Sequence, residues 1–181
     1  MAAPKKEEKV FVERTGLYLG RFQPFHLGHM EAIKQALKQV DFLVIVLGSA
    51  QESHTKENPF TDAEREEMIT TSLFYNGIRN FSVIPVDDIN DDDLYVKHVE
   101  KHVPEFQIVF AADNQKTAHL FAQKNYKVTA FPRFKNISSS QIRKHIVTDD
   151  DAWKAMVPPQ VVEVIEDIGG VKRVKQIHEL V

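Results

Sequence analysis

Cysteine is absent from this 181-residue chain, which excludes disulfides, thiolate catalysis and cysteine-held zinc. Long apolar runs are lacking too. The longest, Phe42 to Leu47, falls far short of the roughly 20 residues needed to span a bilayer as a helix. There is no surplus of positive charge: 23 basic against 26 acidic residues give a net charge of −3. Binding along a DNA or RNA backbone needs a basic face, so no nucleic-acid partner is expected, although a local basic pocket for a nucleotide stays open. The N-terminal stretch MAAPKKEEK has charges but no apolar segment after them, so a secretory signal is not expected. These absences make a cytoplasmic protein with no membrane partner the default expectation.

The composition does allow a packed core. With 43% hydrophobic and 27% charged residues the chain is not composed like a disordered one, and its length suggests one domain. Residues 1 to 14 read as a flexible charged tail, and 15 to 181 as a single domain with a helical part from about 140 onward. Short β-prone runs at Leu17–Phe22, Phe42–Leu47, Phe81–Val86, Gln107–Ala111 and Lys127–Phe131 alternate with helical spacing at Leu27–Gln39, Asp62–Tyr75, Leu94–His102 and Gln115–Asn125. Alternating β and α with nearly continuous apolar strands predicts an α/β fold, a doubly wound parallel sheet with helices on both faces and a helical C-terminal end. Pro158-Pro159 and Gly169-Gly170 are expected to bound one of the terminal helices. In such sheets ligands bind at the carboxyl ends of the strands, which draws attention to two segments.

The first is Gly20-Arg21-Phe22-Gln23-Pro24-Phe25-His26-Leu27-Gly28-His29, leaving the first strand and entering the first helix. A helix N-terminus suits phosphate, His26 and His29 fall on one helical face, and Gly28 lets a bulky phosphate approach the backbone. Two imidazoles can hydrogen-bond a phosphoryl group and, if protonated, stabilise its charge. The plainer alternative is that His26 caps the helix and His29 sits half-buried. With no third ligand nearby, zinc is disfavoured. The second segment, Ile137-Ser138-Ser139-Ser140-Gln141-Ile142-Arg143, offers a serine cap, a second helix N-terminus and an arginine fork in the first turn. Alone it reads as an ordinary cap with a solvated arginine. Together the two segments form a clamp for phosphoryl chemistry, which needs positioning and charge stabilisation. The acidic runs Asp87–Asp93 and Asp149–Asp151 read as helix caps, and His98 with His102 as a surface pair. No residue is assigned to a protein-held metal.

These two motifs resemble the nucleotidyltransferase superfamily marked by His-x-Gly-His and Ile-Ser-Ser-Thr-x-x-Arg, with Ser140 here in place of threonine. GSAQESH followed by NPFT, Glu64-Arg65, IPVDDI and VVEVIEDIGGVKRVKQI narrow the resemblance to the archaeal-type nicotinamide-nucleotide adenylyltransferases, from about Gly16 to Ile177. The resemblance implies a Rossmann-like fold and transfer of AMP from ATP to nicotinamide mononucleotide. It also implies Mg2+ held mainly by ATP phosphates and water, and a homo-oligomer, frequently a hexamer. By position it implies His26, His29 and Arg143 as catalytic residues. ATP contacts would fall on Gly20, Arg21, Phe22, Gln23, Gly28, Asp113, Asn114, Ser138, Ser139 and Ser140. Acceptor contacts would fall on Gly48, Ser49, His54, Lys56, Asp88 and Tyr95.

Two departures stand out. Where relatives carry an arginine before Pro-Phe-Thr, this chain has Lys56-Glu57-Asn58, and Lys56 is the candidate substitute. Tyr95 stands where relatives often have tryptophan. The same chemistry on nicotinic acid mononucleotide, FMN or phosphopantetheine, and a non-catalytic nucleotide sensor, remain as alternatives.

Overall fold

The computed structural model describes residues 13–111, 115–132 and 134–179. Most of the expected tail, and Asp113 and Asn114, lie outside the described residues. The five strands are β1 (Thr15–Gly20), β2 (Phe42–Leu47), β3 (Phe81–Pro85), β4 (Ile108–Ala111) and β5 (Lys127–Ala130). They form one sheet in the order β3-β2-β1-β4-β5, every neighbouring pair parallel. The chain winds outward from β1 in one direction, then crosses back to wind the other way from β4. The strand order therefore reverses beside β1, the place where open α/β sheets hold ligands.

The unbroken apolar run of β2 follows from burial on both faces. Leu43, Ile45 and Leu47 join one core cluster with Met30 and Ile33 of α1 (Leu27–Ala36) and Met68 and Ile69 of α2 (Asp62–Tyr75). Ile142 of α5 (Ser139–Val147), Val161 of α6 (Pro159–Asp167) and Val174 of α7 (Gly170–Glu179) complete it. Val44 and Val46 point the opposite way, into a cluster with Val96 and Val99 of α3 (Asp92–His102) and Phe121 of α4 (Gln115–Gln123). Helices thus cover both faces, and the C-terminal helices close over the same face as α1 and α2. Trp153 is buried in that larger core.

Several boundaries shift from expectation for identifiable reasons. The first strand stops at Gly20, not Phe22, because Phe22 has φ of 52° and turns the chain out of the sheet. Helix α3 begins at Asp92, two residues early, because Asp91 caps it by accepting from the Leu94 N–H. Gly169, with φ of 64°, makes the break between α6 and α7, and α7 is docked by a forked ion pair. Arg173 Nη1 and Nη2 donate to Glu64 Oε2 and Oε1 at 2.7 and 2.9 Å. Burial alone would raise the Glu64 carboxyl, but Arg173 and the Thr61 N–H outweigh it and hold its pKa below the ordinary value.

Candidate active site

A cleft of about 710 Å³ opens at the carboxyl ends of the strands. His26 lies on its wall as the N-cap of α1. Its Nδ1 accepts the N–H groups of Gly28 and His29 at 3.1 and 3.3 Å. In return His29 Nδ1 accepts the His26 N–H at 3.3 Å, so the two histidines make a reciprocal capping box. The structure shows the capping alternative, and a cap made through Nδ1 is compatible with a phosphate at the other ring nitrogen.

This arrangement fixes the tautomer. With Nδ1 of each ring occupied as an acceptor, the proton of the neutral imidazole sits on Nε2. The ring edge away from the helix backbone then carries an N–H donor. The rings stack at 3.6 Å between centroids, and Phe22 and Phe25 pack on His29 at 4.8 and 5.7 Å. Part of His29 still reaches solvent, but its imidazole is enclosed. Burial first, then His26, hold its pKa well below the usual histidine value. His29 is accordingly a neutral donor at pH 7, not an imidazolium.

Gly28 has a closer reason to be glycine than room for a ligand. A Cβ there would lie 3.0 Å from the His26 ring and 3.2 Å from the carbonyl of Phe134, so its absence lets the cap close.

Also lining the cleft, Ser138 is the N-cap of α5, accepting from the Gln141 N–H. Ser139 and Ser140 lie inside the first turn, not before the helix. Ser139 Oγ donates to the Pro24 carbonyl at 3.0 Å, and Arg143 Nη1 donates to the Gln23 carbonyl at 2.8 Å. Arg143 stands one turn deeper than its expected place in the first turn, half-buried rather than solvated. Burial, then Arg21, pull its pKa below the ordinary arginine value, with Glu57 opposing; it stays protonated at neutral pH.

Gln23 is buried, and its side chain is engaged by Phe60, donating to the Phe60 carbonyl and accepting the Phe60 N–H, both at 2.9 Å. Its amide anchors the β2–α2 loop, and the residue also lines the cleft. Phe22 is buried among Tyr18, Phe25 and His29.

On the far side of β1, Ser49 follows β2 with φ of 49°. Its N–H and Oγ both donate to the Asp88 carboxylate. Gln51 ties the same two loops by exchanging bonds with the Asp88 backbone. Gly48 and Tyr95 also line the cleft. Burial, then Asp88, push the Tyr95 hydroxyl up to about 12, against the bond with Thr117. His54 and Lys56 do not line the cleft. His54 is exposed with φ of 56° and its ring is bonded to Ser53 Oγ. The loop contributes Glu57 in their place.

The structure adds residues that the sequence reading left out. Asn90, Asp92, Lys116 and Thr117 line the cleft, with Lys116 paired to Asp92 at 2.8 Å. Lys116 sits at the start of the helix after β4, where the strand-end rule points. Arg65, quoted only as part of a signature, is fully buried. Its Nη1 donates to the carbonyls of Arg21 and Gly48, both 2.8 Å, Nη2 to Ser49 at 3.2 Å and Nε to Thr61 at 3.1 Å. Its spacing with the buried Met68, Ile69 and Ser72 was the available signal. Arg65 and Arg143 together grip the carbonyls on either side of Phe22, and Arg65 grips that of Ser49. Both left-handed residues, which cost about 1–3 kcal/mol each when not glycine, are thereby held in place.

Residues 17–145 match the cytidylyltransferase-like family, the class that this sheet and its paired helix N-termini define. Relatives that are nicotinamide-nucleotide adenylyltransferases match nearly end to end. That of Pyrococcus furiosus is 40% identical over 91% of this chain and 89% of its own length. That of Pyrococcus horikoshii is 42% identical over 90% and 88%. Among solved structures, the Francisella tularensis bifunctional NMN adenylyltransferase/ADP ribose pyrophosphatase, complexed with AMP and a manganese ion, superposes with a TM-score of 0.72. It is 20% identical; the match covers 92% of this chain and about half (52%) of that protein. The chain belongs to the nicotinamide-nucleotide adenylyltransferase family, and it is a nucleotidyltransferase enzyme.

Proposed function

We propose that the enzyme transfers AMP from ATP to nicotinamide mononucleotide, forming NAD and pyrophosphate. An oxygen of the mononucleotide phosphate attacks the α-phosphorus in line. The bond to the β-phosphate oxygen breaks, and pyrophosphate leaves with its electron pair. The attacking phosphate oxygen is already ionised, so no side chain need act as base or nucleophile. The chief support is the pair of Nε2–H donors fixed by the His26–His29 capping box, lining one cleft with Arg143 and the α5 N-terminus. Donors held rigidly where charge develops stabilise a transition state without reorganising.

In this reading His26 and His29 contact the reacting phosphates, and Ser138, Ser139, Ser140 and Arg143 hold the triphosphate. Gly20, Arg21 and Gly28 lie along it, Phe22 and Gln23 shape its turn, and Asp113 and Asn114 lie near the adenosine. Gly48, Ser49, Asp88 and Tyr95 receive the acceptor, with the Tyr95 ring as a stacking surface.

Among the described residues no group of three or more His, Asp or Glu could hold a metal ion. The imidazole, hydroxyl and guanidinium groups are donors suited to phosphate oxygens. This set fits magnesium carried in on the triphosphate and its waters, where it would neutralise phosphate charge. A homo-oligomer, hexameric by family likeness, and a cytoplasmic location belong to the same proposal; light scattering reads the former.

The test follows NAD and pyrophosphate with ATP, magnesium and nicotinamide mononucleotide, beside nicotinic acid mononucleotide, FMN and phosphopantetheine. NAD formation lost in His29→Ala by far more than ATP affinity is the expected result. Pyrophosphate released only with another acceptor would refute the acceptor assignment. ATP binding with no turnover on any acceptor would leave a nucleotide sensor.

A further inference from the structure

Among the described residues, the polar groups on the phosphate side of the cleft are donors and cations, with one exception. Glu57, on the loop between β2 and α2, lines the cleft with its Oε2 3.5 Å from Arg21 Nη1. It also acts electrostatically on Arg143, opposing the effect of Arg21 there. Two guanidiniums and one carboxylate therefore share one neighbourhood, and the carboxylate offsets the repulsion between the cations.

The carboxylate is held there by its chain neighbours. Asn58, next in the chain, is buried and braces the turn, its N–H donating to Thr55 Oγ1 at 3.0 Å while its carbonyl accepts from the Thr55 N–H. Phe60 is clamped on both backbone atoms by Gln23. Glu57 itself stays exposed, with 76% of its side-chain surface open, so packing does not explain its presence in an anion site.

We propose that Glu57 is a specificity-determining residue that weakens the binding of metal-free polyphosphate more than that of its magnesium complex. This rests on reading the cleft as a polyphosphate site. An incoming polyphosphate must take Arg21 from Glu57 and then lie beside a like charge. That penalty grows with the charge the ligand carries, and magnesium reduces the charge. The screen therefore selects the complexed nucleotide and favours departure of uncomplexed pyrophosphate.

The experiment is calorimetric titration with inorganic tripolyphosphate, with and without magnesium, on the full chain and on Glu57→Gln, Arg21→Ala and the double variant. Circular dichroism checks that each variant is folded. Glu57→Gln is expected to tighten metal-free tripolyphosphate about fivefold, the upper end for an exposed charge pair. It should tighten the magnesium complex by a smaller factor, and in the Arg21→Ala background the gain should shrink but persist, because the like charge remains while the competition for Arg21 is gone. Unchanged affinity, or an equal gain for both forms, overturns the inference while leaving the polyphosphate site intact. Failure of the unsubstituted chain to bind tripolyphosphate in either form refutes the site reading and this inference with it.

Discussion

Replacing Arg65 by methionine keeps an unbranched apolar stem, which ends short of the guanidinium position, and removes every donor. Two 2.8 Å bonds, to the Arg21 and Gly48 carbonyls, and two longer ones, to Thr61 and Ser49, are lost. The Thr61 carbonyl keeps the Arg65 backbone N–H and the Ser49 carbonyl keeps that of Glu52, so the cost falls mainly on the first two. A hydrogen bond from a charged donor contributes about 1.5–3 kcal/mol, which gives about 3–6 kcal/mol for the pair. Removing a guanidinium with no carboxylate bound to it returns part of this, since buried charge is itself unfavourable. A net loss of about 3 kcal/mol remains, equivalent to a fall in Tm of about 6–12 °C at this chain length.

The effect on turnover has a separate origin. Freed carbonyls let the left-handed turns at Phe22 and Ser49 relax, and both residues line the cleft. A displacement of about 1 Å there lowers kcat on the order of 100-fold. The assay pairs thermal unfolding by circular dichroism with NAD formation well below both transitions, normalised to folded protein. Arg65→Lys, with a single ammonium for four carbonyls, should fall between. A lowered Tm with undiminished kcat per folded molecule would refute the positioning argument. An unchanged Tm would refute the account of the buried bonds.

Gly28→Ala drives a Cβ against the His26 ring and the Phe134 carbonyl, and only the ring can move. The expected result is a loss of capping worth about 1 kcal/mol and at least a tenfold lower rate of pyrophosphate release; normal kinetics would show that the cap does not set the imidazole. The pH dependence has a definite sign. The unfolded chain protonates His29 near 6.5, the folded chain only well below that value, so between the two the unfolded state binds more protons. Stability should therefore fall as pH drops below about 6.5, with a slope of up to about 1.4 kcal/mol per pH unit from this one group. Urea unfolding at pH 7.5, 6.5 and 5.5 measures it, and an identical slope in His29→Asn would exclude His29 as its source. Glu64, with its folded pKa below the ordinary 4.5, adds stability above about 4.5 that is lost as pH falls further; Glu64→Gln should remove that second loss.

Much of this architecture was legible from pattern. Strands buried on both faces read as continuous apolar runs, and β2 matched residue for residue at Phe42–Leu47. The two motifs were legible because histidine, glycine and serine at strand-to-helix junctions have few structural explanations. What could not be read was which atom faces which. Spacing placed His26 and His29 on one face but could not show that each occupies the other's backbone, which decides their protonation. That the Gln23 amide anchors the loop at Phe60, and that Glu57 of the same loop lines the cleft, could not be read before the loop is folded. His54 and Lys56 lie in the expected segment, but neither lines the cleft.

The central place of β1 has a consequence for how such an enzyme can change. The loops after β2 and β3 meet through Ser49 and Asp88, while β1 and its turn lead into the paired histidines. The two sides are also cross-linked: Lys116 of α4 pairs with Asp92 of α3, and Glu57, after β2, approaches Arg21. On the proposed roles, a change of acceptor through Gly48, Asp88 or Tyr95 would leave the nucleotide side intact only where these cross-links are kept, so diversification of one side is constrained by the other.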